Sequence, residues 1–63
     1  MRNETISYHV ERYCPLQDKW FFCVWHSKQA SAVSSRNARL ANGECARVVK
    51  LVEVNTIDRE IVG

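Results

Sequence analysis

The stretch Lys19-Trp20-Phe21-Phe22-Cys23-Val24-Trp25-His26 decides the fold of this chain. Side chains on a strand alternate between its two faces. Both faces of a regular strand over these residues are apolar: one carries Trp20, Phe22 and Val24, and the other carries Phe21, Cys23 and Trp25. A strand with one solvated face would have polar residues on that face. The stretch therefore predicts a sheet that needs cover on both sides.

The residues before this stretch predict a second strand that pairs with it. Ile6, Tyr8 and Val10 alternate with polar residues, which is the period of a half-buried strand, and we place that strand at about 5–13. Pro15 cannot donate a ladder hydrogen bond and suits a turn. With the apolar stretch forming a strand at about 19–26, the two strands make a hairpin with a loop of about five residues.

A helix is predicted at about 28–41. Ser27 is a suitable N-cap, and Asn42-Gly43 is a typical helix stop. The helix is amphipathic, and its small apolar side is expected to pack against bulky residues of the sheet. On the helix this side comprises Ala30, Val33, Leu40 and Ala41, and on the sheet it meets Tyr8, Trp20 and Phe22.

The remaining residues predict a third strand and a tail. Apolar residues occupy both faces of about 45–54, and the tail at 55–63 is expected either to form a short extra strand or to dock on a neighbour. The order strand, strand, helix, strand predicts one α+β domain over 1–63. Its three-stranded antiparallel sheet has the spatial order 2-1-3, and the helix packs on one face.

Length and composition limit the kind of protein. The chain has 63 residues, 46% of them hydrophobic, and a net charge of +2. Such a small domain buries only about 60% of the surface of its unfolded chain, so a partner often supplies the missing cover. The three cysteines are an odd number, and the sequence has no apolar leader or membrane-spanning segment. We therefore expect reduced thiols and a cytoplasmic protein that does not contact a membrane.

No residue pattern indicates catalysis, a cofactor or a metal. Cys23 and His26 have the spacing of metal ligands, but residues three apart on a strand face opposite sides, and the other cysteines are isolated. Packing of cysteine as a small apolar side chain is the simpler interpretation. The two glycines do not form a phosphate-binding loop. We expect a protein that is not an enzyme, with no catalytic, cofactor-binding or metal-binding residues.

One helix covers one face of the sheet, and the other face is the predicted partner site. A contiguous apolar surface of this kind marks an interaction site. We predict a protein-binding module that also forms a homodimer through this face or through a sheet edge. The residues predicted to bind the partner are Phe21, Trp25, Val49 and Leu51 as anchors, together with Tyr13 and His9.

Nucleic-acid binding is the alternative function. Aromatic residues on an open sheet stack on bases in some single-strand binders. The basic residues available for phosphate contacts are Arg12, Lys19, Arg36, Arg39, Arg47 and Lys50. Glu11 and Glu53 lie among the aromatic residues and oppose phosphate binding, so a protein partner is the primary prediction.

A run of strand residues resembles the small accessory proteins of phages and prophages. It comprises Tyr8-His9-Val10-Glu11-Arg12-Tyr13, Pro15, Asp18, Lys19-Trp20 and Arg47-Val48-Val49, and the resemblance extends over roughly 6–54. Those proteins are similar to this chain in their strand-strand-helix-strand order. The resemblance implies a protein that acts by binding and altering a host protein.

Overall fold

The first strand lies inside an antiparallel sheet because an apolar strand is available to pair with each of its edges. The computed structural model describes residues 4–63, in the order β1 (Thr5–Cys14), β2 (Lys19–His26), α1 (Gln29–Ala41), β3 (Ala46–Glu53) and β4 (Ile57–Ile61). The strand order is β2-β1-β3-β4, and every pair is antiparallel. The predicted α+β class and the order 2-1-3 agree with this sheet. The predicted number of strands, three, is wrong.

The fourth strand comes from the tail. Ile57 and Ile61 flank three charged residues, and β4 pairs with β3 so that Ile61 lies opposite Val49. The pairing continues to the end of the chain, because Val62 donates its N–H to the carbonyl of Val48 (2.9 Å) and Val48 donates to the carbonyl of Gly63 (2.7 Å). Of the two predicted roles of the tail, an extra strand is the one found.

The hairpin between β1 and β2 contains an irregularity that changes both faces of the sheet. Val10 lies opposite Val24 and Glu11 lies opposite Phe22, so Cys23 has no partner on β1. An extra residue of this kind is a β-bulge, and it reverses the side-chain direction of the residues that precede it. Trp20 and Phe22 therefore share a face with Trp25, and Phe21 points to the opposite face.

Ring contacts agree with this register. The centroids of the His9 and Phe22 rings are 5.0 Å apart, and His9 is opposite Trp25 in the ladder. On the other face, the guanidinium of Arg12 lies 5.6 Å from the centre of the Phe21 ring. The prediction that Trp20 and Phe22 lie under the helix is therefore wrong, because it assumed a regular strand.

The core lies between the helix and one face of the sheet. Val10, Ala32 and Val48 are fully buried there. Ala32 has the smallest side chain that still packs as an apolar group, so the helix backbone lies close to the two strands. The half-buried residues around this centre are Tyr8, Val24, Val33 and Val62. The tail thus contributes an apolar side chain to the core as well as a strand to the sheet.

The helix turns a different side to the sheet from the one predicted. Leu40 is 46% exposed, whereas Ser35 faces the sheet and its hydroxyl lies 2.8 Å from Nε2 of His26. Arg36 lies against the end of the chain, where a side chain at Gly63 would come within 3.0 Å of its guanidinium. Helix α1 begins after Lys28, which makes no side-chain cap, so Ser27 is not the N-cap. These polar contacts and the small Ala32 fix the helix orientation more strongly than its weak apolar stripe.

The molecule is a thin slab. Its Cα atoms extend over 44 × 24 × 15 Å, and the radius of gyration is 12.6 Å, against about 10.6 Å for a typical domain of this length. A single helix packed on a sheet accounts for the shortest dimension. The sheet face on the side away from the helix is called the open face below.

Candidate functional site

The open face carries a continuous group of aromatic side chains along β2. Trp25 is 60% exposed and Phe22 is 56% exposed, and Trp20 lies beside them. Phe22 contacts the ring of His9 edge-on, and Trp20 contacts the ring of Tyr13 at a centroid distance of 5.3 Å. We call Trp20, Phe22 and Trp25 the aromatic band. Contacts with β1 hold its inner edge in place, and its outer surface faces solvent.

A buried carboxylate lies next to this band. Glu11 is only 8% exposed, although it belongs to the open face. Arg47 donates from Nε to one carboxylate oxygen of Glu11 (2.9 Å), and Arg59 donates from Nη2 to the other (3.0 Å). A buried charge needs such partners, since an unpaired carboxylate would be costly to remove from water. We call Glu11, Arg47 and Arg59 the ion cluster.

Isoleucines of β4 border the ion cluster on the side away from the aromatic band. Ile57 and Ile61 are both more than half exposed. Val49 lies beside Ile61 and is 1% exposed, so it forms the floor of this region. A shallow pocket of about 250 Å3 is lined by Arg47, Val49, Arg59, Glu60 and Ile61. The open face therefore has two apolar sides separated by a charged centre.

Tyr13 at one end of the face is tied to the hairpin turn. Its hydroxyl donates to Oδ1 of Asp18. This hydrogen bond to a carboxylate raises the pKa of Tyr13 above its ordinary value, and desolvation and the Cys14 and Cys45 thiols act in the same direction. Asp18 has φ of 51°, a left-handed conformation that aspartate tolerates better than most residues. The contact therefore fixes the turn next to Trp20.

The predicted partner-binding residues are only partly brought together. Trp25 is exposed on the open face as predicted, and His9, Tyr13 and Leu51 lie half-buried on the same face. Val49 belongs to the face but is buried beside Ile61 of β4, so the expectation that it is exposed there is wrong. Phe21 points to the helix side because of the bulge, so the expectation that it lies on this face is wrong as well.

Most of the predicted phosphate-binding residues lie on the side of the molecule opposite the open face. Arg47 lies on the open face, where Glu11 accepts its hydrogen bond. Arg12, Lys19 and Lys50 belong to the helix side by register. Arg36 and Arg39 lie on the helix, and Arg39 forms an ion pair with Glu44 at 3.5 Å. Arg47 is therefore the one residue of this set on the face that carries the aromatic band.

Sequence reasoning missed four exposed members of the face and one member of the ion cluster. They are Trp20, Phe22, Ile57, Ile61 and Arg59. The alternation of Ile57, Arg59 and Ile61 with acidic residues was a usable signal for β4, and it would have placed all three on one face. The sequence carried no such signal for the faces of Trp20 and Phe22, because every position around the bulge is apolar.

Other chemical groups in the described part of the chain are dispersed. Residues 4–63 contain no group of three histidine, cysteine or acidic side chains placed to hold a metal ion. Cys14, Cys23 and Cys45 are not joined in disulfides. No helix within the same residues is long and apolar enough to cross a lipid bilayer.

Compared with protein families, curated proteins and solved structures, the chain shows no match. Function is therefore inferred from the chemistry of the open face.

Proposed function

We propose that this chain is a small non-catalytic module that binds another protein through the open face, with Trp25 and Phe22 as the main anchors. One observation carries the proposal. Of the eight large apolar side chains that are exposed among residues 4–63, five lie on this single face: Trp20, Phe22, Trp25, Ile57 and Ile61. Scattered exposed apolar residues need no explanation, whereas a contiguous group such as the aromatic band marks an interaction site.

The energetics support a docking role for the aromatic band. Covering one large apolar side chain contributes about 1.5–3 kcal/mol, and interface energy is concentrated in a few such residues, Trp above all. A domain of 63 residues has only about 3–9 kcal/mol of total stability. Burial of Trp25 and Phe22 against a partner is therefore large on the scale of this fold.

The ion cluster suggests the chemistry of the partner. The side chain of Arg59 is more than half exposed and contacts Glu11 through Nη2, so a partner can reach the same guanidinium. A partner with an apolar centre and a carboxylate at its rim would complement both parts of the face. Such charged contacts mainly fix orientation and select the partner, while the aromatic residues supply affinity.

The proposal includes a cytoplasmic setting and a homodimer. Three unpaired thiols suit a reducing compartment. The resemblance to phage and prophage accessory proteins suggests that the target is a host protein. Self-association through the open face or through an edge of the sheet is part of the same proposal, because so small a domain gains stability from a second copy.

Capture of a partner from a host lysate tests the proposal. Three columns are compared, which carry the immobilised wild-type protein, Trp25→Asp or Leu16→Asp. Leu16 is the matched control, because it is 96% exposed and lies in the hairpin turn, outside the strands that form the open face. We expect a protein from a host lysate to be retained by the wild type and by Leu16→Asp and lost from Trp25→Asp. Equal retention by all three columns, or retention by none, would contradict the proposal.

A salt series on the retained material separates the two classes of partner. Nucleic-acid binding weakens steeply as salt increases, because each phosphate contact releases a counterion. A protein docked on aromatic residues is expected to stay bound over the same range. Recovery of nucleic acid that elutes at moderate salt would overturn the assignment of a protein partner.

A further inference from the structure

We infer that β2 of a second copy pairs antiparallel with the free edge of β2, joining two four-stranded sheets into one of eight strands and leaving both open faces uncovered. This edge contact specifies the interface of the homodimer in the proposed function, and it rests on that proposal. Its contact is an edge, so partner binding on the open face does not depend on it.

Backbone direction shows which groups of β2 are free. Tyr13 donates its N–H to the carbonyl of Cys45, so the backbone groups of Tyr13 point from β1 toward β3. Neighbouring residues of an antiparallel strand point to opposite sides, and Arg12 and Val10 therefore point toward β2. Their partners, Phe21 and Val24, turn their own backbone groups inward.

The residues of the aromatic band have the opposite backbone direction. The N–H and C=O groups of Trp20, Phe22 and Trp25 point away from β1, along the outer edge of the sheet. Within residues 4–63 no strand lies beyond β2. An unpaired row of donors and acceptors is a template for another strand.

The two edges of the sheet differ in their protection against such pairing. Strand β4 carries Asp58, Arg59 and Glu60 in succession, and charged residues of this kind discourage pairing at an edge. Strand β2 contains no proline and no acidic residue, and Lys19 and His26 lie only at its ends. The β2 edge is therefore the one open to addition of a strand.

The bulge makes β2 complementary to itself. In an antiparallel pair, residues that lie opposite each other point to the same face. When Trp20 is placed opposite Trp25 of the second copy, both lie on the open face, and Phe21 and Val24 then face each other on the helix side. In a regular strand, the residues at positions 20 and 25 would point to opposite faces and could not lie opposite each other. The extra residue Cys23 puts them on the same face, which favours a second copy as the added strand.

Charges beside β2 complement each other in the same arrangement. Asp18 immediately precedes the strand, and Lys28 follows it by two residues. Pairing of Trp20 with Trp25 of the second copy places Asp18 opposite Ser27 of that copy, one residue from Lys28. Two-fold symmetry repeats this contact at the other end of the seam. The two aromatic bands become one surface across the seam, so the dimer presents a larger docking face than a single copy.

Hydrogen exchange of individual amides tests the edge contact, alongside sedimentation to measure the oligomeric state. In the dimer, the amides of Trp20, Phe22 and Trp25 are expected to exchange at least tenfold more slowly than after dilution to monomer. The amides of Phe21 and Val24 are the internal controls, because they bond to β1 in either state. A dimer whose three outward amides stay unprotected would overturn the inference while leaving the homodimer in place. A chain that is monomeric at its highest soluble concentration would overturn both, and partner binding by Trp25 would still be tested separately.

A chemical cross-link gives an independent test. The variant Cys14→Ser with Cys45→Ser keeps Cys23, which lies beside the two-fold axis, as its single thiol. A short bis-maleimide is expected to convert this variant to a covalent dimer. The control variant Cys14→Ser with Cys23→Ser keeps Cys45, which is exposed and precedes β3, and should remain uncross-linked. Cross-linking through Cys45 alone, or through neither thiol, would contradict pairing at the β2 edge.

Discussion

The guanidinium of Arg47 lies 4.1 Å from the centre of the Trp20 ring. The same guanidinium donates a hydrogen bond to the buried carboxylate of Glu11. A cation stacked on tryptophan at this distance is attracted by the negative face of the ring. Arg47 thus joins the aromatic band to the ion cluster, and it does so only because the bulge at Cys23 directs Trp20 to this side of the sheet.

Alanine substitutions at two adjacent phenylalanines test the bulge. Phe21→Ala removes a half-buried ring from the helix side and is expected to lower the free energy of unfolding by about 2 kcal/mol, roughly half the cost of a fully buried phenylalanine. Phe22→Ala removes an exposed ring and is expected to cost less than about 1 kcal/mol, but to weaken partner capture by at least about fivefold. Urea unfolding and column retention measure the two effects. The opposite ranking in both assays would mean that β2 is regular.

Glu11→Gln tests the ion cluster. The substitution keeps the size of the side chain but replaces an anion that accepts from two arginines with a neutral amide, so one arginine loses its acceptor. Because hydrogen bonds to charged groups contribute about 1.5–3 kcal/mol, we expect a loss of stability of about that size in urea unfolding. Glu53→Gln is the control: Glu53 is on the same face by register but exposed, and its effect should stay within about 0.5 kcal/mol. Equal losses for the two variants would show that the cluster does not stabilise the fold.

The Tyr13–Asp18 hydrogen bond predicts a dependence on alkaline pH. Since it raises the pKa of Tyr13 in the folded state, its contribution to stability is fully present below the unfolded value of about 10 and is lost as pH rises through the folded pKa. Absorbance of tyrosinate during a pH titration measures this pKa, and Tyr13→Phe identifies the signal against that of Tyr8. Asp18→Asn removes the negative charge yet tolerates the left-handed turn, and should lower the pKa of Tyr13. An unchanged titration would contradict the assigned cause.

Much of the fold could be predicted because local signals agreed. The period of Ile6, Tyr8 and Val10 placed the first strand within one residue of its observed end, and Pro15 placed the turn. Gly43 has φ of 84°, the conformation that ends helices and favours glycine, so the helix C-terminus was also predictable.

The face assignments could not be predicted, for a physical reason. Strand register is specified when one side of a strand is apolar and the other polar, and around Cys23 both sides are apolar. A bulge there leaves no trace in the pattern. The burial of Val49 depends on the neighbouring Ile61, and the helix orientation depends on the His26–Ser35 contact. Each of these is a tertiary contact without a local signal.

The indole N–H signals of Trp20 and Trp25 give the most direct measurement of whether the open face is a docking surface. They are the two tryptophans of the chain, and both lie on this face, so NMR spectra recorded during addition of the protein captured by the wild type report on it alone. We predict that both indole signals shift or broaden on binding, while the amide of the buried helix residue Ala32 stays unchanged. A complex that forms with both indole signals unaltered would contradict the account.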